Sequence, residues 1–261
     1  MNRNSESRNE ARQFSFTPLV IVRIAIIVLV ILFGVGLWFR AHPIRPVTPS
    51  AEPKETTGSS EIIKPASLPA ELTDPASLSV LVNQSHPLPT DYIPEDLIIA
   101  SGSVSGDAIQ ISERMDADLQ DLLYAAATED IPLYITAGYI SYETQQDYYN
   151  AQVKLVGEKE AVKTVARPGY SEHQTGLSID FSDNNTGDNP RTADFANTDS
   201  YTWLLEHAHE YGFILRFPAG KEDITKNNFE PWHFRYVGIE TAEAMYEQSA
   251  DLTMEEFFNA Y

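Results

Sequence analysis

The chain has 261 residues and a formal net charge of −20, from 38 Asp and Glu against 18 Lys and Arg. That length allows one domain with attachments, and the acidity argues against nucleic acid or an anionic lipid surface as a partner. There is no cysteine, which excludes disulfides, thiolate catalysis, Cys-ligated zinc and a lipoprotein anchor.

Residues 1–17 read as a short tail, and residues 18–39 as a nearly continuous apolar run interrupted by Arg23. About 20 apolar residues cross a bilayer core of about 30 Å, so 18–39 is predicted to be a transmembrane anchor. Arg23 can snorkel to one interface and Trp38 suits the other. Trp38-Phe39-Arg40-Ala41-His42-Pro43 is a poor signal-peptidase site, so the anchor is read as uncleaved. Arg3, Arg8, Arg12 and Arg23 outweigh Arg40 and Arg45, which favours the N-terminus inside. The expectation is a single-pass protein of the cell membrane, with a cytoplasmic tail and an extracytoplasmic domain. Residues 40–77 carry Pro43, Pro46, Pro49, Pro53, Pro65, Pro69 and Pro75 among Thr, Ser, Glu and Ala, and read as a linker.

From residue 78 to 261 the composition is globular. Met115, Leu119, Leu122, Leu123 and Ala126 recur at helical spacing, predicting a helix over 111–129. Residues 133–137 form a short apolar run ended by Gly138 and are predicted as a strand. Ser141 is placed to cap a helix reaching 156 and resuming towards 165. Arg167-Pro168-Gly169 opens a loop that presents His173. Residues 177–181 alternate, which puts Leu177 and Ile179 on one face of a strand and Ser178 and Asp180 on the other. Residues 182–198, rich in Asn, Asp, Gly and Thr, read as a long loop. Thr198 caps a helix ended by Gly212. Strands over 213–217 and 232–236, a helix over 238–248 and a short amphipathic tail follow. Without a regular βαβ alternation, the order predicts an α+β fold: a small antiparallel sheet flanked by helices.

Two segments concentrate the chemistry: Ser171-Glu172-His173-Gln174-Thr175-Gly176-Leu177-Ser178-Ile179-Asp180 and Glu230-Pro231-Trp232-His233-Phe234-Arg235. Imidazole and carboxylate suit Zn²⁺, and three protein ligands leave a position for water. His173, Asp180 and His233 are assigned as ligands, with Glu230 as the unligated general base and acid. In a regular strand residues 230 and 233 would point to opposite faces. Pro231 biases Glu230 towards extended or turn geometry, so a bend is predicted to aim Glu230 back at the metal.

These segments carry the signatures Ser-x-His-x-x-Gly-x-Ala/Ser-x-Asp and Glu-x-Trp-His-x-Arg, and the chain resembles the VanY-type D-alanyl-D-alanine carboxypeptidases. The likeness extends to Leu81-Val82-Asn83, Pro87-Leu88-Pro89-Thr90-Asp91-Tyr92, Ala137-Gly138-Tyr139 with Ser141 and Gln145, and the stretch from Tyr211 to Pro218. The resemblance implies a zinc enzyme that removes the terminal D-Ala from peptidoglycan stem peptides, on a sheet face that carries the metal. It also implies substrate-side roles for Tyr139 and Gln145; Trp232 is a further candidate to line the substrate cleft, and Ser171 to bind substrate or to orient a metal ligand. An L,D-specific cut and a cross-link endopeptidase stay open as alternatives. The family turn usually reads Gly-Tyr-Arg-Ser, but this chain has Ile140 at the Arg position. Another cation (Arg167, Lys221 or Arg235) replaces it, or the substrate end group differs, or the protein is a catalytically weak wall-binding module. Oligomeric state is not legible in the sequence.

Overall fold

Alternation along two strands organises the domain. The computed structural model describes residues 68–101, 108–183 and 191–260. The predicted tail, the anchor at 18–39 and residues 40–67 of the predicted linker lie outside the described residues. Among the described residues, no helix is long and apolar enough to cross a membrane.

In chain order the elements are α1 (Ala70–Thr73), β1 (Leu97–Ile99), β2 (Gln110–Ser112), α2 (Asp116–Thr128), β3 (Tyr134–Ala137), α3 (Tyr142–Val156) and α4 (Glu158–Ala161). Then come β4 (Ser178–Ser182), α5 (Asp199–His207), β5 (Phe213–Leu215), α6 (Glu222–Thr225), β6 (His233–Tyr236), α7 (Ile239–Gln248) and α8 (Met254–Phe257). Strands β3-β4-β6-β5 form an antiparallel sheet in that order, and β1 and β2 form a separate pair. The fold is therefore α+β with small antiparallel sheets.

Leu177, Ile179 and Phe181 join Phe234 and Tyr236 in the main core, with Leu119, Leu122 and Ala126 of α2 and Trp203 and Leu204 of α5. Burial of such side chains stabilises by about 1.5–3 kcal/mol each. The period of two then puts Ser178, Asp180, His233 and Arg235 on the opposite face. A second core joins Leu72 and Leu81 to Ile214, Val237, Met245 and Met254. Leu72 falls in the stretch read as linker, yet it is buried in that core.

The predicted caps form. Ser141 Oγ accepts from Thr144 N at 3.1 Å, and Thr198 Oγ1 from Tyr201 N at 3.1 Å. The helix predicted over 111–129 begins only at Asp116, because Ile111 pairs with Ile98 across β1 and β2. Gly157, at φ 81°, stops α3, and the resumption ends at Ala161. The strand predicted over 213–217 ends at Leu215. The C-terminal tail is not a free amphipathic segment: a capping box at Thr253 starts α8, which buries Met254 and Glu255.

Candidate metal centre

His173 stands on a 3-10 turn, Glu172–Thr175, closed by Gly176 at φ 69°. A Cβ at Gly176 would lie 3.1 Å from Leu97 Cδ2 and 3.1 Å from the Ser112 nitrogen, so both angle and space call for glycine. His173 Nδ1–H donates to Gly138 O at 2.7 Å. That bond fixes the tautomer and leaves a lone pair on Nε2.

Asp180 and His233 are direct partners between β4 and β6, so their side chains share a face. Asp180 Oδ1 lies 3.2 Å from His173 Nε2 and 3.2 Å from His233 Nδ1. The oxygen is buried without a hydrogen bond. One donor atom from each of the three residues lies within 4.8 Å of the others. Two donors bound at about 2.0–2.1 Å on a tetrahedral zinc stand about 3.3 Å apart. The spacing fits a metal ion, and an orphaned buried carboxylate oxygen is costly without one.

Around this trio lies a second set of contacts. His233 Nε2 faces Glu172 Oε2 at 3.6 Å. Glu172 Oε1 accepts from Arg216 Nε and from Arg235 Nη1, each at 2.9 Å. Arg216 gives its two Nη groups to Glu255 at 2.9 and 2.8 Å, and Glu255 also accepts from Asn83 Nδ2 at 3.0 Å. These four charged side chains are at most 1% exposed. Burial alone would raise the Glu172 carboxyl, but Arg216 and Arg235 hold it well below its ordinary value. Asp180 is likewise held low: burial opposes, and His173 and Arg191 outweigh it.

Glu230 N donates to Phe217 O at 3.2 Å, and His233 N donates to Glu230 O at 3.1 Å. That turn, with Pro231 inside it, supplies the expected bend. Glu230 Oε2 comes to 3.8 Å from His233 Nδ1. Burial pushes Glu230 up to about 7; His233 and Arg191 oppose this, while Asp180 and Glu172 reinforce it.

A cavity of about 230 Å³ opens beside these groups. Gln145, Ser171 and Trp232 line it, as do His173, Asp180, Glu230 and His233. Gln145 Nε2 is engaged with Ala166 O at 2.7 Å. Tyr139 does not line the cavity; its backbone N–H donates to Gln110 O. Ile140 does, as an apolar wall. None of the three cations offered in place of the family Arg lines it. Arg235 is locked in the buried network, Lys221 pairs with Glu256 at 2.9 Å, and Arg167 pairs with Glu158 at 3.7 Å. The cations that line it are Lys163 and Arg191, and Arg191 Nε donates to Asp180 Oδ2 at 2.5 Å. Arg191 lies in the stretch 182–198 whose composition predicts only a polar loop, where it is the only Lys or Arg between 168 and 215. Glu172 occupies the unspecified position between Ser171 and His173 in the Ser-x-His signature, so the sequence pattern does not single it out.

The sequence model of the VanY family, described as D-alanyl-D-alanine carboxypeptidase, matches residues 108–239. YodJ of Bacillus subtilis (strain 168), provisionally named a carboxypeptidase, is 41% identical over 192 residues, covering 72% of this chain and 69% of that protein. The structure of the LD-carboxypeptidase LdcB aligns at a TM-score of 0.66 and 39% identity, over 71% of this chain and 87% of that one. A vancomycin-resistance D,D-pentapeptidase VanY, solved as a variant with Zn(II), aligns at 0.58 and 34% identity, over 69% and 98%. The matched span holds every residue that converges on the cavity, and by that match this chain belongs to the VanY family of D-alanyl-D-alanine carboxypeptidases.

Proposed function

We propose that the protein is a zinc D,D-carboxypeptidase that removes the terminal D-Ala from peptidoglycan stem peptides. His173, Asp180 and His233 hold the metal, and Glu230 carries the proton. The observation that supports this reading is Asp180 Oδ1, buried without a hydrogen bond and 3.2 Å from a nitrogen of each histidine. When bound, zinc supplies Lewis-acid polarisation and lowers the pKa of water to about 7. Glu230 Oε2 accepts the proton of the attacking water and returns it to the departing amine. Gly138 O and Glu172 hold the two imidazoles in orientation. Gln145, Ser171 and Trp232 line the space for the peptide.

The likeness to LdcB supports a second reading, an L,D-specific cut of a tetrapeptide. One assay separates them. Full-length protein with zinc is expected to release D-Ala from a muramyl pentapeptide ending D-Ala-D-Ala, and a chelator is expected to abolish the release. Release from the tetrapeptide alone would replace the first reading by the second. Release from neither, with zinc bound, would remove both.

Zinc loading carries its own expectation. Burial lowers the His233 imidazole, but the neighbouring carboxylates of Asp180, Glu172 and Glu230 outweigh it and push it up to about 9. The metal must displace that proton, so below that pH apparent zinc affinity should rise about tenfold per pH unit. At pH 8 about one proton should leave per zinc bound. Calorimetry in buffers of differing ionisation enthalpy reads this directly; a heat independent of buffer would contradict it.

The apolar run at 18–39 and the proline-rich stretch at 40–67 support an anchored domain held off the outer face of the cell membrane, where its substrate lies. A reporter fused to the C-terminus should be active only outside the cytoplasm.

A further inference from the structure

We infer that Arg191 is the group that receives the terminal carboxylate of the substrate, replacing a cation from the turn that here carries Ile140. This rests on the carboxypeptidase reading above. Both the D,D and the L,D substrate end in a free carboxylate, and that anion must enter a cavity that already holds the carboxylates of Glu172, Asp180 and Glu230 beside the two histidines. An anion in such surroundings needs a compensating charge. Two cationic side chains line the cavity, Lys163 and Arg191. Both carboxylate oxygens of Glu160 already hold the Lys163 ammonium, at 3.0 and 2.8 Å. Arg191 sits at the reacting end instead, with Nε on Asp180 Oδ2 and a side chain that is 41% exposed. One guanidinium has five N–H donors in a rigid fork, which suits it to two carboxylates at once. Held by Asp180, the fork is fixed relative to the three candidate ligands before the peptide arrives. Ile140 cannot share this role, since its side chain has no donor.

The test is calorimetric binding of D-Ala-D-Ala and of its C-terminal amide to the full-length, zinc-loaded Glu230→Gln protein, which should not turn over. The carboxylate ligand should bind more tightly than the amide. Adding Arg191→Gln should weaken the carboxylate ligand about 10- to 100-fold and the amide much less, so that the preference collapses. Arg191→Lys should keep part of the preference, and it serves if the Gln variant does not fold. Zinc affinity, read by chelator competition, should stay within about tenfold, given the loss of one outer contact to Asp180. A preference that survives Arg191→Gln overturns the inference, whether zinc affinity holds or falls; if it falls, Arg191 is only a strut for Asp180. Equal binding of acid and amide by the Arg191-containing protein overturns it too. If neither it nor a tetrapeptide binds, the carboxypeptidase reading fails as well.

Discussion

Replacing Glu230 with alanine is expected to lower kcat for D-Ala release by about 100- to 10,000-fold, the range for a lost general acid–base group, while zinc stays bound. The carboxylate stands 3.8 Å from His233 Nδ1, beside the candidate ligands. Its environment raises it to about 7, near the pH at which a proton must be both accepted and returned. Glu230→Gln preserves shape and should be as inactive as the alanine variant. Metal analysis of both variants should show one zinc per chain. Activity within about tenfold of the parent would remove Glu230 from the proton path. Loss of the zinc instead would make it a ligand.

Glu172→Ala is expected to destabilise the metal-free protein by about 3–5 kcal/mol, the cost of leaving buried charge uncompensated. The loss falls on Arg235 most heavily, because Arg216 retains its bidentate pairing with Glu255. Arg235 would keep only backbone carbonyls: Leu78, Val80 and Tyr236. The same change removes the carboxylate facing His233 Nε2, and zinc affinity should fall about 10- to 100-fold. Denaturant melts of the metal-free protein and chelator competition measure the two effects separately. Glu172→Gln retains an acceptor and should recover part of the stability. A metal-free Glu172→Ala protein within about 1 kcal/mol of the parent would show that the arginine pair does not depend on this carboxylate.

Much of the centre was legible because its signals are local. The Ser141 and Thr198 caps and the alternation through Asp180 each depend on near neighbours in the chain, whereas the helix expected to run to Gly212 ends at His207 and only a 3-10 turn, Ala208–Tyr211, reaches that glycine. Residue chemistry alone put two imidazoles and a carboxylate together, since few other roles use that set. The strand pair Leu97–Ile99 and Gln110–Ser112 is not legible in the sequence, because three-residue strands carry too little pattern and the helical spacing predicted from 111 onward takes in Ile111.

What the sequence determined by itself was the fold class, the strand that carries Asp180 and the candidate ligand set. Only the tertiary structure decided which charge serves the cavity. Arg235 stands in a signature and looked available, yet it is sealed against Glu172, 63 residues away, whereas Arg191 came from an unremarked loop to meet Asp180. The physical reason is range. Caps and alternation are set by bonds spanning a few residues, but a buried charge is placed by whichever opposite charge the packed sheets bring to it, and nothing along the chain records that partner.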